Sequence, residues 1–133
     1  MKLDNDCIRD ILISIEAIEY GSAYTVEKLH KLLPDYSYDK LQYHCIQLLD
    51  AGLIKAISMP VRGSYTPQVN RITDLTYPGH QFLANIREDN NWKKIKGISS
   101  NIGFAGLKVI SSIAEGVATA AINKHLGFSE QIQ

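Results

Sequence analysis

Residues 36–54 read YSYDKLQYHCIQLLDAGLI, and this stretch decides the predicted fold. Ser37 predicts a helix N-terminus, because a short hydroxyl side chain accepts a hydrogen bond from the free N–H groups of a first turn. The apolar positions that follow recur at helical spacing and predict one buried stripe. They are Leu41, Cys45, Leu48 and Leu49. Gly52 predicts the end of the helix, and the segment after it, rich in Ile and Val, predicts a strand.

The opposite face of this helix is polar but carries little positive charge. It presents Asp39, Tyr43, Gln47 and Asp50, with Lys40 as the one fixed cation. A helix that reads duplex DNA depends on nearby cations, because much of the affinity comes from neutralised phosphates. The stretch therefore has the shape of a recognition helix without the usual charge, which leaves both DNA and protein open as partners.

Two further helices are predicted before this stretch. Residues 4–19 carry Ile and Leu at helical spacing, with Asp4 or Asn5 as the N-cap. A second, short helix begins after Thr25 and stops at Pro34, which cannot continue it. Only about three residues then separate the second and third helices, which is the short connection of a helix-turn-helix.

A β-hairpin and a fourth helix are predicted after the stretch. Residues 53–61 and 69–75 alternate in part and flank the turn-rich segment RGSYTPQ. Thr76 predicts the cap of a helix that tolerates Pro78 in its first turn. The order helix, helix, helix, hairpin, helix is that of a winged helix-turn-helix, a mainly α fold with a small β-hairpin as its wing.

The chain divides into four predicted segments. They are a winged-helix domain 1–96, a linker 97–103, a C-terminal apolar helix 104–127 and a tail 128–133. The linker prediction depends on the sequence GISSNIG, which is rich in turn-forming residues. Before it, REDNN at residues 87–91 predicts an interruption, after which WKKIK resumes a helix with Asp89 or Asn90 as its cap.

The C-terminal helix is apolar around nearly its whole circumference. One stripe runs at coiled-coil-like spacing. It contains Phe104, Leu107, Ile110, Ala114, Val117 and Ala121. A helix this apolar is not expected to stand free in water. It predicts a homodimer interface, with packing on its own domain, or binding to a membrane or a partner protein, as the alternatives.

Charge gives no support for a nucleic-acid partner. The 133 residues contain 14 Lys and Arg against 14 Asp and Glu, so the formal net charge is zero. Residues 1–60, which include the third helix, hold six Lys and Arg against nine Asp and Glu. The predicted recognition helix thus lies in the more acidic half of the chain.

The sequence contains no motif for catalysis or metal binding. The four histidines lie on separate predicted elements, and neither CxxC nor HExxH spacing occurs. Because GxSxG and phosphate-loop motifs are also missing, we expect no enzyme, no cofactor and no metal. Cys7 and Cys45 fall on apolar helix faces and are expected to be buried thiols. No opening apolar segment and no uncharged run of transmembrane length occurs, which predicts a cytoplasmic protein with no membrane span.

Three stretches carry a resemblance to a known family. They are KLDNDCIRDILISIE at 2–16, YHCIQLLDAGLI at 43–54 and ITDLTYPGHQFLANIREDNNWKKIK at 72–96. Together they resemble the family called domain of unknown function 2513, whose members are small proteins common in phages, prophages and mobile elements. The part LTYPGHQFLANIR is the most specific, and its pattern is also similar to the YjcQ-like winged-helix proteins. The resemblance implies a winged-helix fold and a regulatory or mobile-element role, and it implies no reaction.

The leading functional expectation is a small phage-type regulator that binds duplex DNA as a dimer. The first turns of a recognition helix face the base edges. The candidate contacts there are Ser37, Lys40, Gln42, Tyr43 and Gln47, and those on the hairpin are Arg62, Ser64, Tyr65 and Arg71. Lys93 and Lys94 would hold phosphates further out. The alternatives are a non-catalytic module that binds a host or phage protein, and membrane association through the C-terminal helix.

Overall fold

The computed structural model describes residues 1–102 and 106–127. Within them the chain forms six helices and one antiparallel pair of strands, which confirms a mainly helical protein with a small β-hairpin. In chain order the elements are α1 (Asn5–Glu16), α2 (Val26–Leu32), α3 (Tyr38–Asp50), β1 (Ile54–Met59), β2 (Gln68–Leu75), α4 (Tyr77–Ile86), α5 (Asp89–Ile102) and α6 (Leu107–Leu126). The chain separates into two compact units, 1–83 and 84–133, and the division falls inside α4 rather than in the predicted linker.

α1 begins at its predicted cap and ends earlier than predicted. The Asp4 carboxylate accepts two hydrogen bonds from first-turn N–H groups, at 3.0 and 3.2 Å. The helix stops at Glu16 rather than at residue 19. The reason is that the Ile18 N–H bonds the Ile15 carbonyl at 3.0 Å, which tightens the last turn and ends the regular ladder.

α2 and α3 also begin at their predicted caps. The hydroxyls of Thr25 and Ser37 each accept a hydrogen bond from the N–H group three residues on, at 3.1 Å. α3 closes as predicted at Gly52, whose φ of +75° lets the Leu53 N–H bond the Leu48 carbonyl at 3.0 Å. α1, α2 and α3 pack on one another and on the hairpin, and together they enclose the core of the first unit.

The hairpin contains a bulge in its middle. Between Lys55 and Ile57 the register shifts, so that β2 carries extra residues opposite β1. Arg71 lies in this bulge with a φ of +52°. The next residue, Ile72, exchanges two backbone hydrogen bonds of 2.8 Å with Tyr24, which joins the segment before α2 to the hairpin.

In the second unit α5 and α6 pack against each other. The predicted interruption at 87–91 is present as a shorter break at residues 87–88, because residues 89–91 already belong to α5. The cap of α5 is Glu88 rather than the predicted Asp89 or Asn90. Its two carboxylate oxygens accept first-turn N–H groups at 3.0 and 2.8 Å.

Most of the predicted linker is helical. Residues 97–102 continue α5, because the buried side chains of Trp92, Ile95 and Ser99 keep helical spacing on both sides of Gly97. Packing therefore overrides the turn-forming composition of this segment. The predicted apolar helix is present as α6. Residue 103 of the linker, Phe104 and the predicted tail 128–133 lie outside the described residues.

Candidate interaction surface of α3 and the hairpin

Lys40, the cation predicted on the outward face of α3, is held in an ion pair within the first unit. Its Nζ lies 2.7 Å from Asp4 Oδ2 and 5.4 Å from the centre of the Tyr36 ring. The hydrogen bond to Asp4 raises the pKa of Lys40. Burial is the largest influence on the pKa of Asp4 and raises it, but the hydrogen bonds from Lys40 and from backbone N–H groups outweigh burial, so that this pKa is lowered. The pair ties the first turn of α3 to the cap of α1.

The same corner contains a buried histidine that the sequence did not single out. His44 Nε2 accepts the Asp4 N–H at 2.8 Å, and His44 Nδ1 lies 2.8 Å from the Lys40 carbonyl oxygen. Because Nε2 is the acceptor, Nδ1 carries the proton and donates to that carbonyl. Both ring nitrogens are therefore used inside the fold, and His44 has a structural role.

Gln42 is buried, which corrects its assignment as a contact to DNA bases. Its Oε1 accepts the Val69 N–H at 2.9 Å, while its Nε2 donates to the Val69 carbonyl at 3.3 Å and to the Tyr38 hydroxyl at 3.0 Å. The carboxamide thus bonds both the backbone N–H and the backbone C=O of Val69, as a neighbouring strand would. These hydrogen bonds connect α3 to β2. The sequence did contain a signal, since Gln42 precedes Cys45 by three positions and Leu49 by seven, at the edge of the apolar stripe.

A groove of about 290 Å³ lies between α3 and the hairpin. It is lined by Asp39, Gln42, Tyr43, Ile46, Ser64, Thr66, Pro67 and Gln68. Among these described residues Asp39 is the one carboxylate, and none is a lysine or an arginine. The groove therefore suits an apolar or basic ligand better than a phosphate backbone.

The tip of the hairpin presents two of the predicted contacts to solvent. Arg62 and Tyr65 are exposed, and neither side chain has a hydrogen bond or an ion pair within the described residues. Ser64 is used inside the turn, where its hydroxyl donates to the Thr66 carbonyl at 3.1 Å and accepts the Thr66 N–H at 3.2 Å. Arg62 is thus an unpaired cation two positions from a groove-lining residue.

The remaining DNA candidates do not join this surface. Ser37 is the N-cap of α3, and Gln47 is half-buried. Arg71 lines a separate cleft of the first unit. Lys93 and Lys94 are exposed on α5, in the second unit. Of the predicted set, Gln42, Tyr43 and Ser64 are brought together in the groove.

The predicted dimer stripe is partly used within the chain. Ile110 and Ala114 are buried, each 1% exposed, where α6 packs on α5. Of its other described members, Leu107 and Val117 are half-buried and Ala121 is exposed. Exposed apolar surface lies instead toward the end of α6, where Ile122 is 57% exposed and Leu126 is 50% exposed.

Both cysteines are buried and free, as predicted. Burial raises the pKa of the Cys7 and Cys45 thiols to about 12, so neither forms a reactive thiolate at neutral pH. The part of the chain that the structure describes contains no group of three or more His, Cys, Asp or Glu side chains placed to hold a metal ion. None of the described helices combines the length and the apolarity needed to cross a bilayer.

The segment LTYPGHQFLANIR has a structural explanation. Thr76 Oγ1 accepts the Gly79 N–H at 3.0 Å as the predicted cap of α4, and its hydroxyl donates to the Gly52 carbonyl at 2.6 Å. A Cβ on Gly79 would overlap the Leu53 carbonyl oxygen, so glycine is required there. Phe82 then faces the core. The segment holds the start of α4 against the end of α3 and the start of β1.

Comparison with known proteins identifies a family. The family model described as "Hypothetical protein (DUF2513)" matches residues 2–105, which contain α1 to α5 and both strands. A protein of Haemophilus influenzae named "Uncharacterized protein" is 32% identical over 121 residues, covering 86% of this chain and 93% of the relative. The chain therefore belongs to the DUF2513 family.

Proposed function

We propose that the first unit is a winged helix-turn-helix that binds a protein segment in the groove between α3 and the hairpin. A short turn joins α2 to α3, and the hairpin that follows has the position of a wing. The backbone bridge between Tyr24 and Ile72 adds a third strand segment beside β2, which also supports this fold assignment.

The charge of the groove favours a protein partner over DNA. Its lining includes the Asp39 carboxylate and no cation among the described residues. Lys40, the predicted cationic contact on α3, is paired with Asp4. Residues 1–83 as a whole contain eight Lys and Arg against ten Asp and Glu. A surface with this balance gains little from phosphate neutralisation, which supplies most of the non-specific affinity for DNA.

The lining also indicates the chemistry of the partner. Tyr43, Ile46 and Pro67 offer apolar contact, and Asp39 offers a carboxylate at the rim. The expected ligand is a short segment that inserts one apolar side chain and places a Lys or Arg beside Asp39.

A peptide-display selection against the whole chain tests this proposal. We expect the selected peptides to combine an apolar residue with a Lys or Arg. Their affinity should fall at least about tenfold in Asp39→Lys, which is about 1.4 kcal/mol. The matched control is Asp50→Lys at the exposed end of the same helix. Peptides that bind Asp39→Lys as well as the unmodified chain, or no selected peptides at all, would contradict the proposal.

Duplex DNA is the second candidate, favoured by the hairpin tip. Arg62 is exposed and unpaired where a wing reaches phosphate or the minor groove, and a homodimer would present it twice. Fluorescence anisotropy of mixed-sequence duplex DNA at two salt concentrations tests this candidate. Salt-sensitive binding that is lost in Arg62→Glu, and kept in the exposed α2 control Lys31→Glu, would establish it. Lys40→Glu is unsuitable, because it also breaks the ion pair with Asp4.

A further inference from the structure

A cleft beside the bulge of β2 has the dimensions of a small-molecule site. Its volume is about 660 Å³, and it lies among the loop after α1, the middle of the hairpin and the first turn of α4. Sites for small molecules commonly measure about 300–1,000 Å³ and combine apolar walls with a few converging polar groups. Here the half-buried Ile18 and the fully exposed Tyr20 line the cleft together with Lys55, Arg71 and His80.

Two cations on the walls of the cleft are unpaired. Neither the Lys55 ammonium nor the Arg71 guanidinium makes a hydrogen bond or an ion pair within the described residues. The carboxylates on the walls are engaged, since Asp74 Oδ1 accepts the Leu75 N–H at 2.7 Å and lies 3.5 Å from His80 Nε2. Glu16 has an interaction of its own as well. The walls therefore hold two carboxylates and two cations, and of these four groups the two cations are the ones without a hydrogen bond or an ion pair within the described residues.

The backbone at Arg71 is strained where it lines the cleft. Its φ of +52° is the left-handed conformation, which costs a residue other than glycine roughly 1–2 kcal/mol. The bulge imposes it, and Asn70 Oδ1 supports it by accepting the Arg71 N–H at 2.9 Å. Glycine would adopt this backbone with less strain, so an arginine here suggests a use for its side chain. Strained residues of this kind cluster at ligand sites.

We propose that this cleft binds a small organic anion, whose carboxylate or phosphate group is held between Arg71 and Lys55. A guanidinium presents paired N–H donors that match both anions, and an ammonium adds a point charge. The apolar body of the ligand lies against Ile18, and the Ser22 hydroxyl supplies a further donor from the loop after α1. The site is separate from the groove of α3 and does not depend on the partner bound there.

Two-dimensional ¹H–¹⁵N NMR of the full chain tests the proposal, with sodium phosphate and sodium acetate as probes at constant ionic strength. We expect saturable shifts at the amides of Ser22, Arg71 and Thr73 with at least one probe, and the probe that binds more tightly identifies the preferred group. Arg71→Gly and Lys55→Gln should each weaken binding at least about tenfold, because each removes a charge-assisted contact.

Arg71→Gly also distinguishes a loss of anion binding from a loss of folding stability. Glycine accommodates a positive φ, so this variant should melt at the same temperature as the unmodified chain or higher while losing the anion. Arg62→Gln, at the hairpin tip, is the matched arginine control and should bind normally. Shifts that merely follow ionic strength, equal affinity in Arg71→Gly, or no saturable binding of either probe would overturn the proposal.

Discussion

The two surfaces beside β2 differ in how charge and strain are distributed. At Val69 the strand is fixed by Gln42, and the groove next to it contains one carboxylate and no cation among the described residues. Two positions later, at Arg71, the strand is strained and the cleft contains two unpaired cations. Within a formal net charge of zero, the groove thus holds one carboxylate, while the cleft holds two cations beside two carboxylates. The position of each cation, more than the number of cations, determines which ligands a surface can bind.

Both surfaces depend on the junction of α3, β1 and α4. A substitution that disrupts this junction is therefore expected to cause the largest loss in the free energy of unfolding. Gly79→Ala places a methyl group on the Leu53 carbonyl oxygen, which is backbone and cannot move aside. We expect a loss of about 3 kcal/mol in the free energy of unfolding, measured by urea denaturation. Binding in the groove and in the cleft should both weaken.

Gly97→Ala is the control for that substitution. It lies in helix α5, and an added Cβ there meets nothing within 4 Å. We expect a gain of about 0.5–1 kcal/mol, because alanine loses less backbone entropy in a helix. A Gly79→Ala loss below about 1 kcal/mol would show that α4 shifts easily, and the junction would then not be the support of both surfaces.

Gln42→Ala should affect binding in the groove and binding in the cleft differently. It leaves the buried N–H and C=O of Val69 without their partner, which costs about 2 kcal/mol in unfolding free energy. Peptide binding in the groove should weaken, while anion binding at Arg71 persists in the folded protein. Gln47→Ala on the same helix is the control, with an expected change within about 0.5 kcal/mol. Equal losses from the two substitutions would contradict the role of Gln42.

The ion pair between Lys40 and Asp4 should depend on pH. The pKa of Asp4 lies below its ordinary value of 3.8 in the folded chain, so its carboxylate contributes stability above that value and loses the contribution as pH falls through the folded pKa. Asn caps a helix about as well as Asp. Asp4→Asn should therefore cost about 0.5–1 kcal/mol near neutral pH and almost nothing in strong acid. The exposed Asp35→Asn is the control, and a difference that persists unchanged into acid would refute this account.

The smallest effect on folding is expected at the exposed end of α6. If copies of the chain pair there, Ile122→Lys should dissociate the dimer while leaving the unfolding free energy within about 0.5 kcal/mol. Light scattering across a range of protein concentrations measures the mass. Ile98→Lys, an exposed isoleucine on α5, is the control. A monomeric mass at every concentration of the unmodified chain would exclude the predicted homodimer.

Local sequence was sufficient to predict most helix starts in the first unit. Thr25, Ser37 and Thr76 cap their helices as predicted, since each cap joins atoms only three residues apart. The element order and three positions of the predicted stripe of α3, Leu41, Cys45 and Leu48, also follow from spacing along the chain, whereas Leu49 is half-buried. The predicted linker was wrong over residues 97–102, because the burial of Trp92, Ile95 and Ser99 decided that segment.

The mainly helical class, the hairpin and the caps of α1 to α4 follow from the sequence alone, because these depend on near neighbours. Which polar side chains remain available to a ligand depends on contacts between residues that are far apart in the sequence. Lys40 meets Asp4 across 36 positions, and Gln42 meets Val69 across 27. The left-handed backbone of Arg71 arises from a register shift between two strands. Contacts between distant residues leave no periodic signal in the sequence, so the candidate surfaces became visible only when the chain was folded.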